Sequence, residues 1–244
     1  MSSVAKWYIT VVVASGIGTL LLAAKWWSPA NLAQFGALLA FTLFASTLKV
    51  RIPGMTSTIT PNFAFLLVTI TFFSFSQVIV AALGAALTQS FWRPKGRTRM
   101  VQVIFSAAAL TLSSAFAFSV SHLVVRPLDI GNAAALALLA GTLYLFMNTA
   151  LVSIVVGLTE HQPIKQVCQH CYEWAFPYFV FGIVVTGLVS GAFSMTNAWR
   201  SSLQVAPAMI LAYLYFLGRS KKQVGSRPAN EEEVELVAVS SFER

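Results

Sequence analysis

The sequence is poor in charge: Asp, Glu, Lys and Arg make up 10% of its 244 residues, against roughly a quarter in a soluble domain. Acidic residues are scarcer still. All eight are Asp129, Glu160, Glu173, Glu231, Glu232, Glu233, Glu235 and Glu243, so everything before the tail is almost free of negative charge. Too few charges are left to cover a globular surface in water, and the bulk of the chain is expected in lipid. Cysteine is limited to Cys168 and Cys171, which excludes a small secreted domain built on disulfides.

Charge is also missing where membrane transporters and channels often need it. No Asp, Glu, Lys or Arg falls in the middle of any long apolar stretch, which argues against a proton-driven antiporter, a carboxylate-ringed cation channel or a Schiff-base photoreceptor. A nucleophile elbow, a phosphate-cradling glycine loop and a zinc-protease histidine pair are absent as well. With no catalytic apparatus in sight, the expectation is a protein that is not an enzyme.

What the sequence does have is apolar length. Hydrophobic residues make up 57%, and seven uncharged blocks approach or exceed the roughly 20 residues that span hydrocarbon as a helix. They are Trp7 to Ala24, Trp26 to Leu48, Ile52 to Trp92, Met100 to Val125, Ile130 to Thr159, Trp174 to Trp199 and Ser201 to Gly218. As a single helix the third would be about 62 Å long, twice the hydrocarbon thickness. It must fold back, and the polar cluster Ser74, Phe75, Ser76 and Gln77 is the natural hinge, giving short spans near 61–75 and 77–92. The predicted fold class is therefore all-α, a polytopic transmembrane helical bundle of eight spans over 1–218, with a disordered tail over 219–244.

Boundary signals agree. Thr60 followed by Pro61 reads as an N-cap with proline in the first turn, and Pro53-Gly54 marks a turn. Tryptophans 7, 26, 27, 92, 174 and 199 stand at block edges, as interfacial anchors do. Lys25, Trp26 and Trp27 close the first block without a small-residue cleavage site, which predicts a retained span.

Orientation follows from the cations. With both termini cytoplasmic, the inside receives Lys6, Lys49, Arg51, Arg93, Lys95, Arg97, Arg99, Lys165, Arg219, Lys221, Lys222, Arg227 and Arg244, leaving Lys25, Arg126 and Arg200 outside. Such a bias is the positive-inside pattern of a cytoplasmic membrane protein. The same clusters explain the net charge of +8 through a membrane partner, and no nucleic acid is expected.

Uncharged polar residues inside the spans are the candidates for binding. Asn62, Gln89, Gln102, Tyr144 and Asn148 either make interhelical hydrogen bonds, worth about 0.6 kcal/mol on average, or line one pocket and orient a small, mostly apolar ligand. Small residues four apart, Gly36 with Ala40, Ala82 with Ala86 and Gly187 with Gly191, suit close helix packing. Outside the spans, His161, Cys168, His170 and Cys171 offer two thiols and two imidazoles, a ligand set for tetrahedral zinc or copper, and the Cys pair has redox spacing. The histidines flank and interrupt a single Cys pair, unlike the two separated pairs usual for zinc. The pattern identifies no cofactor.

Several of these segments together carry a resemblance. Leu48-Lys-Val-Arg-Ile-Pro-Gly54, Asn62-Phe-Ala-Phe65, Gln89-Ser-Phe-Trp92-Arg-Pro-Lys95 and Gln102-Val-Ile-Phe105, with the later Ala206-Pro-Ala and Tyr213-Leu-Tyr215, resemble the multi-pass membrane sensory module that precedes cyclic di-GMP output domains in some bacterial signalling proteins. The similarity runs over most of 31–222 and implies a ligand sensor in the cytoplasmic membrane. Only 22 residues follow Lys222, so the expectation is a stand-alone version that passes its signal through the tail or a separate signalling subunit. A fainter resemblance, through Ile52-Pro-Gly54 leading into two short helices, is to the substrate-binding subunits of energy-coupling-factor vitamin transporters. That family implies a transporter, or a transport subunit, for a small neutral or amphipathic compound, with the turn facing outward where the charge pattern places it inside.

Overall fold

The computed structural model describes residues 3–28, 31–48, 50–51, 58–92, 100–125, 133–160, 163–169, 176, 179–180, 182–184 and 186. Most of the expected span over Trp174–Trp199, and all of Ser201–Gly218 and the tail, lie outside them. Six helices run through the described residues: α1 (Ser3–Lys25), α2 (Leu32–Thr47), α3 (Phe63–Phe72), α4 (Phe75–Phe91), α5 (Met100–Val125) and α6 (Ala133–Glu160). Between α2 and α3, β1 (Val50–Arg51) pairs antiparallel with β2 (Thr58–Ile59), Val50 opposite Ile59. That short hairpin brackets the Pro53-Gly54 turn signal, which itself lies outside the described residues.

α1, α5 and α6 are long and apolar enough to cross a membrane. Their outer faces match that role: Val4, Trp7, Val11, Ile17 and Leu21 of α1 and Leu138 and Phe146 of α6 are exposed, a surface suited to lipid and costly in water. Many of the bundle's hydroxyls are turned the other way. Thr42, Ser46, Thr111, Ser113, Ser114 and Ser153 are all buried.

The third apolar block breaks where its polar cluster predicts. Phe73 and Ser74 adopt extended backbone between α3 and α4. Gln77 Oε1 accepts from the Ser74 N–H at 3.1 Å and from Ser74 Oγ at 2.9 Å, so the first turn of α4 is stabilised by a capping box. The break is also tied to its neighbours, because Ser76 Oγ donates to the Trp26 carbonyl at 3.1 Å and accepts from the Ser28 N–H at 3.4 Å. Replacing the fully buried Gln77 with leucine strips the Ser74 N–H of its partner. Gln77→Leu is expected to cost about 1–2 kcal/mol, read as a lower denaturation midpoint in detergent.

α2 starts later than the apolar block that contains it. Trp26 to Asn31 form the link from α1, and Asn31 takes left-handed backbone (φ 48°), which asparagine tolerates better than most residues. The α3 cap also differs from expectation: Asn62, rather than Thr60, holds the N-cap position. Its side chain does not cap the helix, because it is committed to a network described below.

Contacts along the helices fix their directions. Asn62 at the start of α3 meets Ser46 at the end of α2, while Phe73 at the end of α3 meets Phe35 near the start of α2, so these two helices are antiparallel. α4 returns alongside, with Gly84 against Leu39 and Leu43. Tyr8 of α1 touches Phe105 of α5 and donates to the Leu151 carbonyl of α6, and Phe75 of α4 meets Phe118 of α5. One end of the bundle thus gathers the start of α1, the end of α2, the β hairpin, the start of α3, the end of α4, the start of α5 and the end of α6. Lys6 and Arg51 belong to that end and Lys25 to the other.

Three apolar clusters hold this arrangement. Phe65 and Val68 of α3 and Phe73 just beyond it pack with Leu38 of α2 and Ala81, Ala82 and Ala85 of α4. Leu67 and Ile70 face Ala137 and Ala140 of α6, and Val12 of α1 joins Phe105, Ala109 and Leu151. Every residue from Phe63 to Ile70 is buried. α3 is therefore a core helix, and at about 15 Å it is half the hydrocarbon thickness.

Candidate functional site

Polar chemistry in the bundle begins at the root of α3. Asn62 Nδ2 donates to Ser46 Oγ at 3.1 Å, Thr60 Oγ1 donates to Asn62 Oδ1 at 3.0 Å, and Ser46 Oγ donates to the Thr42 carbonyl at 2.7 Å. All four side chains are buried. The network ties α2 to the strand that leads into α3, so among the two roles expected of Asn62 the structure gives it an interhelical bond.

The next residue starts an aromatic group. The ring of Phe63 lies 5.2 Å from Tyr144 of α6 and 4.0 Å from Phe179, and Tyr144 lies 5.9 Å from Phe179. Two glycines make room for it. A Cβ on Gly182 would come within 2.7 Å of Phe63 Cδ1, and one on Gly141 within 2.8 Å of Ile183 Cγ1. Tyr144 thereby adjoins the Asn62 network through Phe63, and Asn148 follows one helical turn later on the same side of α6. Of the five expected ligand residues, Asn62 and Tyr144 come together at the start of α3 through Phe63.

Gln89 and Gln102 do not join them. Gln89 is half-buried near the end of α4, and Gln102 is exposed in the first turn of α5. Cys168 is a free, half-buried thiol in the helical segment 164–169. His161, His170 and Cys171, the rest of the expected metal set, lie outside the described residues, and no metal-ligand cluster occurs among the described ones. Of the small-residue pairs, Ala82 and Ala86 are buried, whereas Gly36 has open space where a side chain would go and Gly187 and Gly191 are outside the described residues.

Four buried polar atoms have no hydrogen-bond partner among the described residues: Asn148 Oδ1, on a residue the sequence singles out, and Thr111 Oγ1, Ser114 Oγ and Ser153 Oγ, which it does not. Other hydroxyls show what such groups ordinarily do in a helix. Thr42, Ser46, Thr69, Ser113 and Thr186 each donate to the carbonyl four residues earlier. Thr111 and Ser114, on either side of Ser113, do not. An unpaired buried hydroxyl or amide oxygen costs about 1–3 kcal/mol, and in lipid no water from outside the bundle offsets it.

Two of these atoms lie on α5 and two on α6. α5 and α6 run antiparallel, joined at one level by Phe105 and Ala109 with Leu151, and at another by Ala117 with Ala137, Ala140 and Tyr144. Thr111 and Ser114 fall between those levels on α5, and Asn148 falls between Tyr144 and Leu151 on α6. No spacing motif marks them, because serine and threonine recur throughout the bundle and only pairing distinguishes these.

No known protein family, curated protein or solved structure matches the chain. The class follows from the fold: an α-helical protein with, among the described residues, three helices long and apolar enough to cross a membrane.

Proposed function

We propose that the chain is a multi-pass protein of the cytoplasmic membrane, crossing eight times with both termini cytoplasmic, that binds a small, mostly apolar ligand in its bundle and acts as a sensor without catalysing a reaction. One observation carries the ligand reading: Thr111, Ser114 and Asn148 hold buried polar atoms with no hydrogen-bond partner among the described residues, on two helices whose middles carry no charge. Buried polar groups left without partners are rare, and a few polar atoms in an apolar enclosure are what a ligand site offers.

The eight-crossing scheme draws on the alternation of helix directions together with the grouping of cations. On this reading the chain is a relative of the sensory modules that its Leu48–Gly54 and Gln89–Lys95 segments resemble, and it passes its signal to a signalling partner. The α3–α4 break favours a second reading, a carrier or transport subunit for a small neutral or amphipathic compound, since transporters build binding sites at interrupted helices.

The test is to purify the chain in mild detergent, release bound small molecules by denaturation, and identify them by mass spectrometry. The identified compound is then offered to proteoliposomes. Binding without accumulation is the result expected of a sensor, and accumulation in the lumen would replace that reading with the carrier. A bundle that releases no compound enriched over empty-detergent controls would remove both.

A further inference from the structure

The two ends of the bundle differ in charge. Segments that start or finish at the end holding the start of α1 and the end of α6 carry eight cations, namely Lys6, Lys49, Arg51, Lys165 and four between Arg93 and Arg99, against two acids, Glu160 and Glu173. The links at the other end hold Lys25, Arg126 and Asp129.

Two of these cations share a flank. Tyr8 of α1 donates to the Leu151 carbonyl of α6, and Val155, one turn further on, belongs to the same apolar cluster. Lys6, just ahead of Tyr8, therefore stands toward the end of α6, and Lys165 follows that end by five residues. Both lysines are exposed, and among the described residues neither pairs with an acid. Cations fixed at helix ends create a local positive potential that attracts a negatively charged segment.

The acids of the chain are gathered elsewhere. Five of the eight fall between Glu231 and Glu243, a stretch without Lys or Arg. On the eight-crossing reading the last span, Ser201–Gly218, returns to the basic end, and twelve residues, 219–230, lead from it to Glu231. A connector of that length spans about 20 Å on average and about 45 Å at most. Packed helix axes are about 8–10 Å apart, so a surface two or three helices away is within reach. Tethering holds the acids near it at about millimolar effective concentration, whereas an anionic bilayer surface repels them.

We infer that the acidic stretch Glu231–Glu243 docks on the basic end of the bundle, against Lys6 and Lys165, and closes that surface to other anions. The inference rests on the eight-crossing reading, which puts tail and lysines on one side of the membrane. A signalling partner with an acidic face must displace the tail to reach the same cations, so the docked tail is an autoinhibitory contact.

The test is zero-length coupling by a water-soluble carbodiimide, which joins a carboxylate to an amine only where the two meet. It uses the full chain, one copy per phosphatidylcholine nanodisc, with coupled peptides mapped by mass spectrometry. Peptides from Glu231–Glu243 are expected joined to Lys6 and Lys165. Their yield should fall at least about fivefold between about 0.01 M and about 1 M salt, as the screening length shrinks from about 30 Å to about 3 Å. The variant E231Q/E232Q/E233Q leaves Glu235 and Glu243 able to couple, and should lower their yield about threefold through lost long-range attraction.

Coupling confined to Lys221 and Lys222 of the connector, or seen only in discs holding two copies, would overturn docking on the chain's own bundle. A yield unmoved by salt and by the glutamine variant would overturn its electrostatic basis. Sealed vesicles treated with an impermeant amine reagent separate the remaining cases. Labelling of Lys165 and Lys221 from opposite faces would overturn the docking together with the eight-crossing reading, and labelling from one face without coupling would overturn the docking alone.

Discussion

Phe63→Ala is expected to lower the unfolding free energy by about 3–5 kcal/mol, the range for deleting a fully buried aromatic ring. Phe63 is 2% exposed and lies between Tyr144 and Phe179, with the backbone at Gly182 pressed close to its ring. Neighbours cannot readily close the gap. Tyr144 belongs to a long helix held at several other points, and Asn62 next door is fixed to Ser46 and Thr60. Phe63→Leu, which keeps most of the volume, should cost under about 1.5 kcal/mol. Reversible unfolding in mixed micelles measures both, and a loss below about 1 kcal/mol for the alanine variant would mean that the three rings do not hold α3 in place.

Gly16→Leu is the second large effect. A Cβ at Gly16 would stand 2.7 Å from Ala108 Cβ and 2.9 Å from Ala108 Cα, and the second of these atoms is backbone that cannot swing aside. α1 must therefore move off α5, weakening the Tyr8–Phe105 ring contact and the Tyr8 hydrogen bond to Leu151. Forcing bulk into a packed contact costs about 1–3 kcal/mol. Two positions provide the control, because Gly18 and Gly36 have nothing within 4 Å of an added Cβ. Gly18→Leu and Gly36→Leu should leave the thermal midpoint in detergent near that of the parent, while Gly16→Leu lowers it. Equal effects at all three positions would refute the close α1–α5 approach.

Much of the helical layout was legible in the residues because charge and turn chemistry punctuate long apolar stretches. The Met100 to Val125 block is α5 end for end, and Ile130 to Thr159 contains most of α6. The fold-back at Ser74 was legible because no single helix of that length fits a bilayer and a polar cluster interrupts the block near its middle. α2 was read as beginning too early, since Trp26 and Trp27 look like span residues, while in the structure the Trp26 carbonyl is used by Ser76.

The candidate site was legible only in part. Asn62, Tyr144 and Asn148 stood out as polar groups in apolar runs, but composition does not tell which amide finds a neighbour. Asn62 does, and the Asn148 oxygen does not. Thr111 and Ser114 were passed over because a helical hydroxyl normally satisfies itself against its own backbone, and their failure to do so is a property of the folded structure. Gly16 was missed for a related reason: its partner Ala108 lies on another helix, and no spacing within one segment records that.

Among the described residues, the short helices α2, α3 and α4 stand beside the much longer α5 and α6. At 1.5 Å per residue, α2 is about 24 Å tall and α4 about 26 Å, while α5 and α6 reach about 39 and 42 Å. A slab of hydrocarbon about 30 Å thick is overtopped on one flank and underfilled on the other. Lipid beside α2 and α4 must dip toward the protein, whereas α5 and α6 must lean, and each ångström of misfit costs a fraction of a kcal/mol. Among the described residues, then, the misfit with a bilayer is concentrated beside α2 and α4, and it is smallest where the hydrocarbon is thin.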